Sequence, residues 1–242
     1  MKLTVYGNNA TCPQASGACA CYLLEAAGKK ILLDMGCGSL PQLLQKIDLK
    51  DVDLIILSHL HFDHFGDLFC AKYQLETRRA LGEEIPRIAL CSPPLPQWAG
   101  EELLSGNIFK FIPMYHEKQL TFHGLNLTFF QVPHLVESYA VRICGDGKVF
   151  TYSGDSAASE ALLRAVQGVD CLLCEATLLN EQTLEASHHL TAGQAGMMAR
   201  RGNVKRLLLT HYYPEKSSQI LEQAQEAFAS VEMTHIMEQY EI

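Results

Sequence analysis

The chain has 242 residues, is 48% hydrophobic and carries a formal charge of −8. That apolar content suffices for a sizeable core, and an α/β chain of this length forms one domain, here expected over residues 1–242. Nineteen basic against 27 acidic residues argue against a surface built to grip a long polyanion, and no apolar run is long enough to cross a bilayer.

Met1 to Tyr6 reads as a short strand ended by Gly7-Asn8-Asn9. A secretion signal needs a longer apolar core behind a basic start, so a cytoplasmic location is expected. Cys19-Ala20-Cys21 lies in a strand-like run with both thiols on one face. Ile31-Leu32-Leu33 is a strand that ends in Asp34-Met35-Gly36. Leu40 to Ile47 follows Ser39 as a short helix, with Pro41 near its first turn. Leu54-Ile55-Ile56-Leu57 reads as a buried strand, and it runs directly into Ser58-His59-Leu60-His61-Phe62-Asp63-His64. This H-x-H-x-D-H stretch places four potential metal ligands on a tight loop with a rigid support. Imidazoles and a carboxylate suit zinc, and also manganese or iron.

Asp67 to Leu81 is a longer helix, and Ser92-Pro93-Pro94-Leu95-Pro96 is a loop before another. The pattern of apolar strand then ligand returns three times. Leu127 to Pro133 ends in His134, Val149 to Gly154 in Asp155, and Leu207 to Thr210 in His211. Ligands at strand ends can converge on one rim of a sheet. Between them, Ser156 to Val166 is a helix capped by Ser156 and followed by Gly168. Val169 to Cys174 is a strand that sends Cys171 and Cys174 to opposite faces, which argues against a zinc pair there. Nine cysteines, an odd number, read as reduced and mostly buried, inert thiols. Thr191 to Arg200 is a helix with a Thr cap and Gly202 past its end; Arg200, Arg201, Lys205 and Arg206 form a solvated basic helix end. Ser217 to Ala229 is the last helix, and Val231 to Ile236 a closing strand. His116, His123 and His235 fit no motif and read as surface or satisfied core positions.

Together these residues resemble the metallo-β-lactamase-fold hydrolases, over most of the chain and in five separated motifs. Within that superfamily, Ser153-Gly154-Asp155, Glu175-Ala176-Thr177, His189-Leu190-Thr191 with Ala192 and Gln194-Ala195, and Leu208-Leu209-Thr210-His211 are most similar to the short ribonuclease Z-like branch. The resemblance implies a four-layer αββα sandwich with two metals at one edge of the paired sheets. It implies one metal held by His59, His61 and His134, a second by Asp63, His64 and His211, and Asp155 as the bridge. The implied cofactors are two divalent ions, zinc first, with manganese or iron also accepted. The implied reaction is hydrolysis through a metal-bridging hydroxide that Asp63 helps to orient. Asp34 is implied outside the ligand set, steadying the His loop by accepting hydrogen bonds. Glu175 is implied to orient His189, which would stabilise charge on phosphate or protonate the leaving oxygen. The alternative is that His189 merely opens a helix, with His188 its exposed neighbour.

Members of this branch that process tRNA carry a protruding Gly/Pro-rich arm between the positions of His134 and Asp155. Here the two are 21 residues apart, room for one hairpin. With the acidic balance, this favours a small or cyclic phosphodiester or a short oligonucleotide over tRNA; the branch's phosphonate-pathway cyclic phosphodiesterases are the analogy. The expected function is a dinuclear metal phosphodiesterase. The first alternative is an acyl hydrolase on the same fold: lactonase, thioesterase or β-lactamase. Against it, Asp155 stands where a β-lactamase subclass places a Cys ligand, and a glyoxalase-type thioesterase has no obvious use for Glu175 with His189. A redox diiron protein or non-catalytic sensor is the other alternative, but diiron relatives place Glu at the position of His61 and append a flavin domain. Substrate recognition is expected in Asn8 to Ala18, Pro93 to Gly106, Met114 to Lys118 and Leu135 to Tyr139. The family implies a homodimer, and no membrane partner is expected.

Overall fold

The computed structural model describes residues 1–182 and 187–242. The chain opens with β1 (Lys2–Gly7), β2 (Cys21–Ala26) and β3 (Lys29–Leu33), paired antiparallel in turn. It continues through α1 (Ser39–Leu43), β4 (Leu54–Ile56), α2 (Phe62–Phe65), α3 (Leu68–Ala80), β5 (Ile88–Ser92), α4 (Gln97–Leu104) and β6 (Phe109–Pro113). Strands β3 to β6 are mutually parallel, so their connections cross over on one face. A second half repeats this plan. β7 (Gln119–Phe122), β8 (Leu125–Val132), β9 (Ser138–Gly145) and β10 (Lys148–Tyr152) are antiparallel. α5 (Glu160–Ala165), β11 (Cys171–Glu175), α6 (Ala192–Arg201), β12 (Arg206–Thr210), α7 (Ser217–Ala227) and β13 (Val231–Met233) then extend a parallel run from β10. β14 (Gln239–Glu241) returns to the first half and pairs with β1.

Among the described residues this gives two seven-stranded sheets, ordered β14-β1-β2-β3-β4-β5-β6 and β13-β12-β11-β10-β9-β8-β7. Both faces of each sheet are covered, which is why the central strands are apolar throughout rather than alternating. Leu208 points inward, with Tyr22, Leu33, Ile56, Phe129, Phe150 and Tyr152, into the core between the sheets. Its neighbours Leu207 and Leu209 point outward, onto Leu162, Ala195, Met198 and Ile220 of α5 to α7. On the far side, Leu32, Ile55 and Leu90 pack against Leu43, Leu68, Leu75 and Leu103 of α1, α3 and α4. The result is the four-layer αββα sandwich that the resemblance implied. Among the described residues no helix is long and apolar enough to cross a membrane.

Local boundaries differ from expectation where tertiary contacts intervene. The helix expected to start at Ser156 starts at Glu160 instead, capped by Ser159, whose hydroxyl accepts from the Leu162 N–H. Ser156 is withdrawn because its own N–H is bound to the Glu175 carboxylate, 2.7 Å away. The helix expected over Leu40 to Ile47 is shorter, since the Leu43 carbonyl takes both the Lys46 and Ile47 N–H and closes the turn. The closing strand stops at Met233, where Thr234 N–H and hydroxyl both bond the Leu209 carbonyl. Cys19 lies before β2, outside the strand. Cys171 and Cys174 do face opposite cores, all nine cysteines are free, and burial pushes the Cys21 and Cys171 thiols up to about 12. The basic cluster is a solvated surface: Arg201 pairs with Glu160, Lys205 with Asp170 and Arg206 with Glu232.

The turn after β3 lies directly on the H-x-H-x-D-H loop. Met35 N–H donates to the His64 carbonyl at 2.7 Å. A Cβ on Gly36 would sit 1.8 Å from the Asp63 carbonyl oxygen and 2.8 Å from the Cys19 Cβ. Gly36→Ala is therefore expected to push that loop out of place, costing about 1–3 kcal/mol in denaturant unfolding and lowering bound metal. An unchanged midpoint with full metal content would show that the loop can shift freely.

Candidate metal centre

Candidate ligands leave the C-terminal ends of strands on one edge of the sandwich. β4 leads into His59, β8 into His134, β10 into Asp155 and β12 into His211. Asp63 and His64 are carried by α2, whose N-cap is His61. The turns into the site are tight. Asp34, Gly154 and His211 have φ of 60°, 58° and 50°. For the two residues with side chains this left-handed backbone costs on the order of 1–3 kcal/mol each, a strain retained where the fold fixes it.

All seven candidate ligands meet. His59 Nε2 and His134 Nε2 each lie 3.1 Å from His61 Nδ1. His211 Nε2 and His64 Nε2 lie 3.3 and 3.7 Å from Asp63 Oδ2. Asp155 Oδ2 sits between these groups, 3.4 Å from His64 Nε2, 3.5 Å from His211 Nε2, 3.8 Å from His59 Nε2 and 4.0 Å from His134 Nε2. Two donors about 2.1 Å from one tetrahedral ion are themselves about 3.4 Å apart. The observed spacings are of that size. His59, His61 and His134 form one set whose donor atoms all lie within 4.8 Å of one another, and Asp63, His64 and His211 form another.

An outer layer of hydrogen bonds turns the rings of His64, His134 and His211. Asp34 accepts from the Ser58 N–H at 2.6 Å, the Ser58 hydroxyl at 2.8 Å and His64 Nδ1 at 2.8 Å. His134 Nδ1 donates to the His188 carbonyl at 3.0 Å. Thr177 gives its hydroxyl proton to Glu175 at 2.5 Å and accepts from His211 Nδ1 at 2.9 Å. Because carboxylate and carbonyl oxygens only accept, Nδ1 carries the proton in these rings and Nε2 presents its lone pair inward. His189 is held from the same side, with Nδ1 3.1 Å from Glu175 Oε1 and 3.8 Å from Asp155 Oδ2.

Charge follows burial and neighbours. Burial opposes a positive charge on His59, His61 and His134 and lowers their pKa, leaving the neutral imidazole that binds a cation. Burial also disfavours a charged Asp155, but His211, His64 and His59 outweigh it and hold the carboxyl well below the usual range. Burial likewise opposes charge on His189, yet the Glu175 carboxylate prevails and raises it to about 9. Two atoms settle whether a metal fits. His64 Nε2 and Asp155 Oδ1 are buried without a hydrogen-bond partner. Such orphans are costly, and bound cations would satisfy them. The neutral nitrogens of His59, His61 and His134 and the carboxylates of Asp63 and Asp155 suit a divalent ion, so the donor set fits.

The expected site residues, including Asp34, Glu175 and His189, are thus all brought to one edge. His189 is close enough to Asp155 and His134 to count as a third donor set, so distance alone does not separate it from the ligands. His188 is half-buried rather than exposed. Its carbonyl, the Thr177 hydroxyl and Ser58 were not singled out as functional. For Thr177 the signal was available, two residues beyond Glu175 at a strand end; for the His188 carbonyl no side-chain signal exists. His116, His123 and His235 are exposed, as expected.

An αββα sandwich with His and Asp side chains gathered at one edge defines a metal-binding hydrolase of the metallo-β-lactamase fold. The chain belongs to the beta-lactamase superfamily domain family, whose sequence profile matches residues 29–212. It is 26% identical over 211 residues to the probable metallo-hydrolase YhfI of Bacillus subtilis, covering 87% of this chain and 86% of that one. The crystal structure of YhfI superposes with a TM-score of 0.93 at 24% identity over 99% and 98% of the two chains. A ribonuclease Z from Archaeoglobus fulgidus is 24% identical over 287 residues, 94% of this chain and 93% of its own length. A diphosphatase from the PhnP family shares the fold at a TM-score of 0.74 and 20% identity, over 100% and 97% of the chains.

Asp155 contacts both donor sets. Asp155→Ala is expected to lose at least one equivalent of metal by elemental analysis, while two tightly held ions in that variant would refute a bridging position.

Proposed function

We propose that the protein is a phosphodiesterase that acts on a small or cyclic phosphodiester or a short oligonucleotide, with two divalent ions, zinc first among them. The observation that carries this reading is the pair Glu175 and His189 beside the two donor sets. Glu175 is fully buried and takes the Ser156 N–H, the Thr177 hydroxyl and His189 Nδ1. His189 is thereby held at the edge of the site, partly exposed, with Nε2 unpaired among the described residues. Bound divalent ions supply Lewis acidity toward a phosphoryl oxygen and a water acidified toward neutral pH. His59, His61 and His134 would hold one ion and Asp63, His64 and His211 the other, with Asp155 placed between the two sets. Asp63 also accepts a hydrogen bond from the attacking water and so orients it. His189, cationic beside Glu175, places a proton at the leaving oxygen or opposes charge on the phosphoryl group.

Size and surface support a small substrate. The stretch from His134 to Asp155 is filled by the β9–β10 hairpin, joined at Asp146 and Gly147, with no projecting arm of the kind tRNA-processing members carry. Exposed apolar side chains fall in three of the segments expected to recognise substrate: Trp98, Tyr115, Leu135 and Val136. Trp98 lies 6.4 Å, ring to ring, from Phe62, which stands between His61 and Asp63. Such a rim offers a flat face to a base or another apolar group.

His189→Ala is expected to keep both metals and lower kcat on chromogenic phosphodiesters by about 10²–10⁴-fold. Unchanged turnover would remove His189 from the reaction. Trp98→Ala is expected to raise KM about fivefold or more with kcat little changed. A parallel panel of lactones and thioesters tests the reaction class; hydrolysis of these with silence on every phosphodiester would make the protein an acyl hydrolase instead.

A further inference from the structure

The candidate ligands come from two separate sheets. His59, His61, Asp63 and His64 follow β4 in the first sheet; His134, Asp155 and His211 follow strands of the second. The core between the sheets is apolar. Apolar contact is non-directional and does not by itself fix how one sheet is registered against the other. Besides the Tyr139 N–H that donates to the Ser58 carbonyl, two side-chain hydrogen bonds among the described residues cross that core immediately beneath the site. Tyr22, on β2 of the first sheet, bonds its hydroxyl to Thr210 Oγ1 on β12 of the second, at 2.7 Å. Tyr152, on β10 of the second sheet, donates to Asp34 Oδ2 at the end of β3 in the first, also at 2.7 Å. The two rings lie against each other, centroids 5.2 Å apart and tilted by 57°. Both are buried, and burial raises both phenols well above their ordinary pKa, so the hydroxyls stay protonated.

Both bonds lead most directly to the donor set of Asp63, His64 and His211. Asp34 Oδ2, which receives Tyr152, also receives His64 Nδ1 at 2.8 Å. Thr210, which meets Tyr22, is the residue before His211, and His211 is held in a left-handed turn with φ of 50°. His64 and His211 have ring centroids 5.0 Å apart and share a donor set with Asp63. The other set, His59, His61 and His134, is further from the clasp: His134 is held by the His188 carbonyl, and His59 meets Ser58, which in turn donates to Asp34.

We propose that Tyr22 and Tyr152 are positioning residues that form a reciprocal clasp between the sheets and fix the separation of His64 from His211, and hence the affinity of the cation position these share with Asp63. This rests on the reading of the site as one that holds two ions. Each tyrosine acts through the residue it touches, Thr210 or Asp34, and neither reaches the ligand atoms. Removing one hydroxyl leaves the ring in place, so the packing of the core is kept while the directional link is cut.

The test uses Tyr152→Phe and Tyr22→Phe, with Tyr240→Phe as control. Tyr240 is buried in the same core, but its hydroxyl bonds Glu238 and the Met233 carbonyl, outside the site. Protein loaded with cobalt(II) is titrated with a chelator, and the visible spectrum and bound metal are followed together. The wild type should release two equivalents. Each clasp variant should release one of them at about 10–100-fold lower chelator and shift the other much less. Tyr240→Phe should follow the wild type throughout, with metal-free thermal midpoints similar among the three variants. Equal weakening of both equivalents, or wild-type behaviour in the clasp variants, overturns the clasp. A wild type that binds a single equivalent overturns the two-ion reading itself, and the clasp with it.

Discussion

One carboxylate oxygen organises this edge of the protein. Asp155 Oδ2 has imidazole nitrogens of His59, His64, His134, His189 and His211 within 4.0 Å. So many buried polar atoms around an anion, two of them without partners, form a poor arrangement for a protein interior unless positive charge fills it. The fold can be read as the means of meeting that constraint. Strands from both sheets end at the same edge, and the last backbone turn of β3, β10 and β12 adopts the left-handed conformation that directs the chain into the site. The strain at Asp34 and His211 persists because the buried strands behind them cannot relax it.

Rigidity is passed outward in shells. Three inward-facing nitrogens are set by a bond on the far side of the ring: Asp34 for His64, the His188 carbonyl for His134 and the Thr177 hydroxyl for His211. Glu175 ties several of these together, because it binds the N–H next to Asp155, the hydroxyl that holds His211 and the ring of His189. The capping box at Thr191, closed with Gln194, starts α6 two residues beyond His189 and so pins the segment that carries it. The hydrogen bonds that hold His211, His189 and the backbone beside Asp155 are thus parts of one network, and a substitution at Glu175 would disturb them together.

Much of this was legible in the sequence. Short apolar runs followed at once by His or Asp mark strand ends, and the dense H-x-H-x-D-H stretch marks the rim. The division of seven ligands between two ions came from likeness to a family rather than from spacing. What stayed hidden is long-range. The contacts of Tyr22 with Thr210 and of Tyr152 with Asp34 join residues 188 and 118 positions apart, and no local pattern encodes them. Ser156 and Ser159 are equally good caps by residue type; only the buried Glu175 carboxylate, which claims the Ser156 N–H, decides for the later one. The pairing of β14 with β1 was likewise unreadable, since three residues carry little periodicity.

That last pairing has a consequence for biosynthesis. β1 receives its outer neighbour only from Gln239 to Glu241, with Lys2 opposite Glu241. Until Gln239 to Glu241 have been made, the outer side of β1 presents an unpaired row of amide and carbonyl groups, a template for other nascent chains. The loop at residues 59 to 64, three strands in from that edge, is therefore made well before the sheet that carries it is closed.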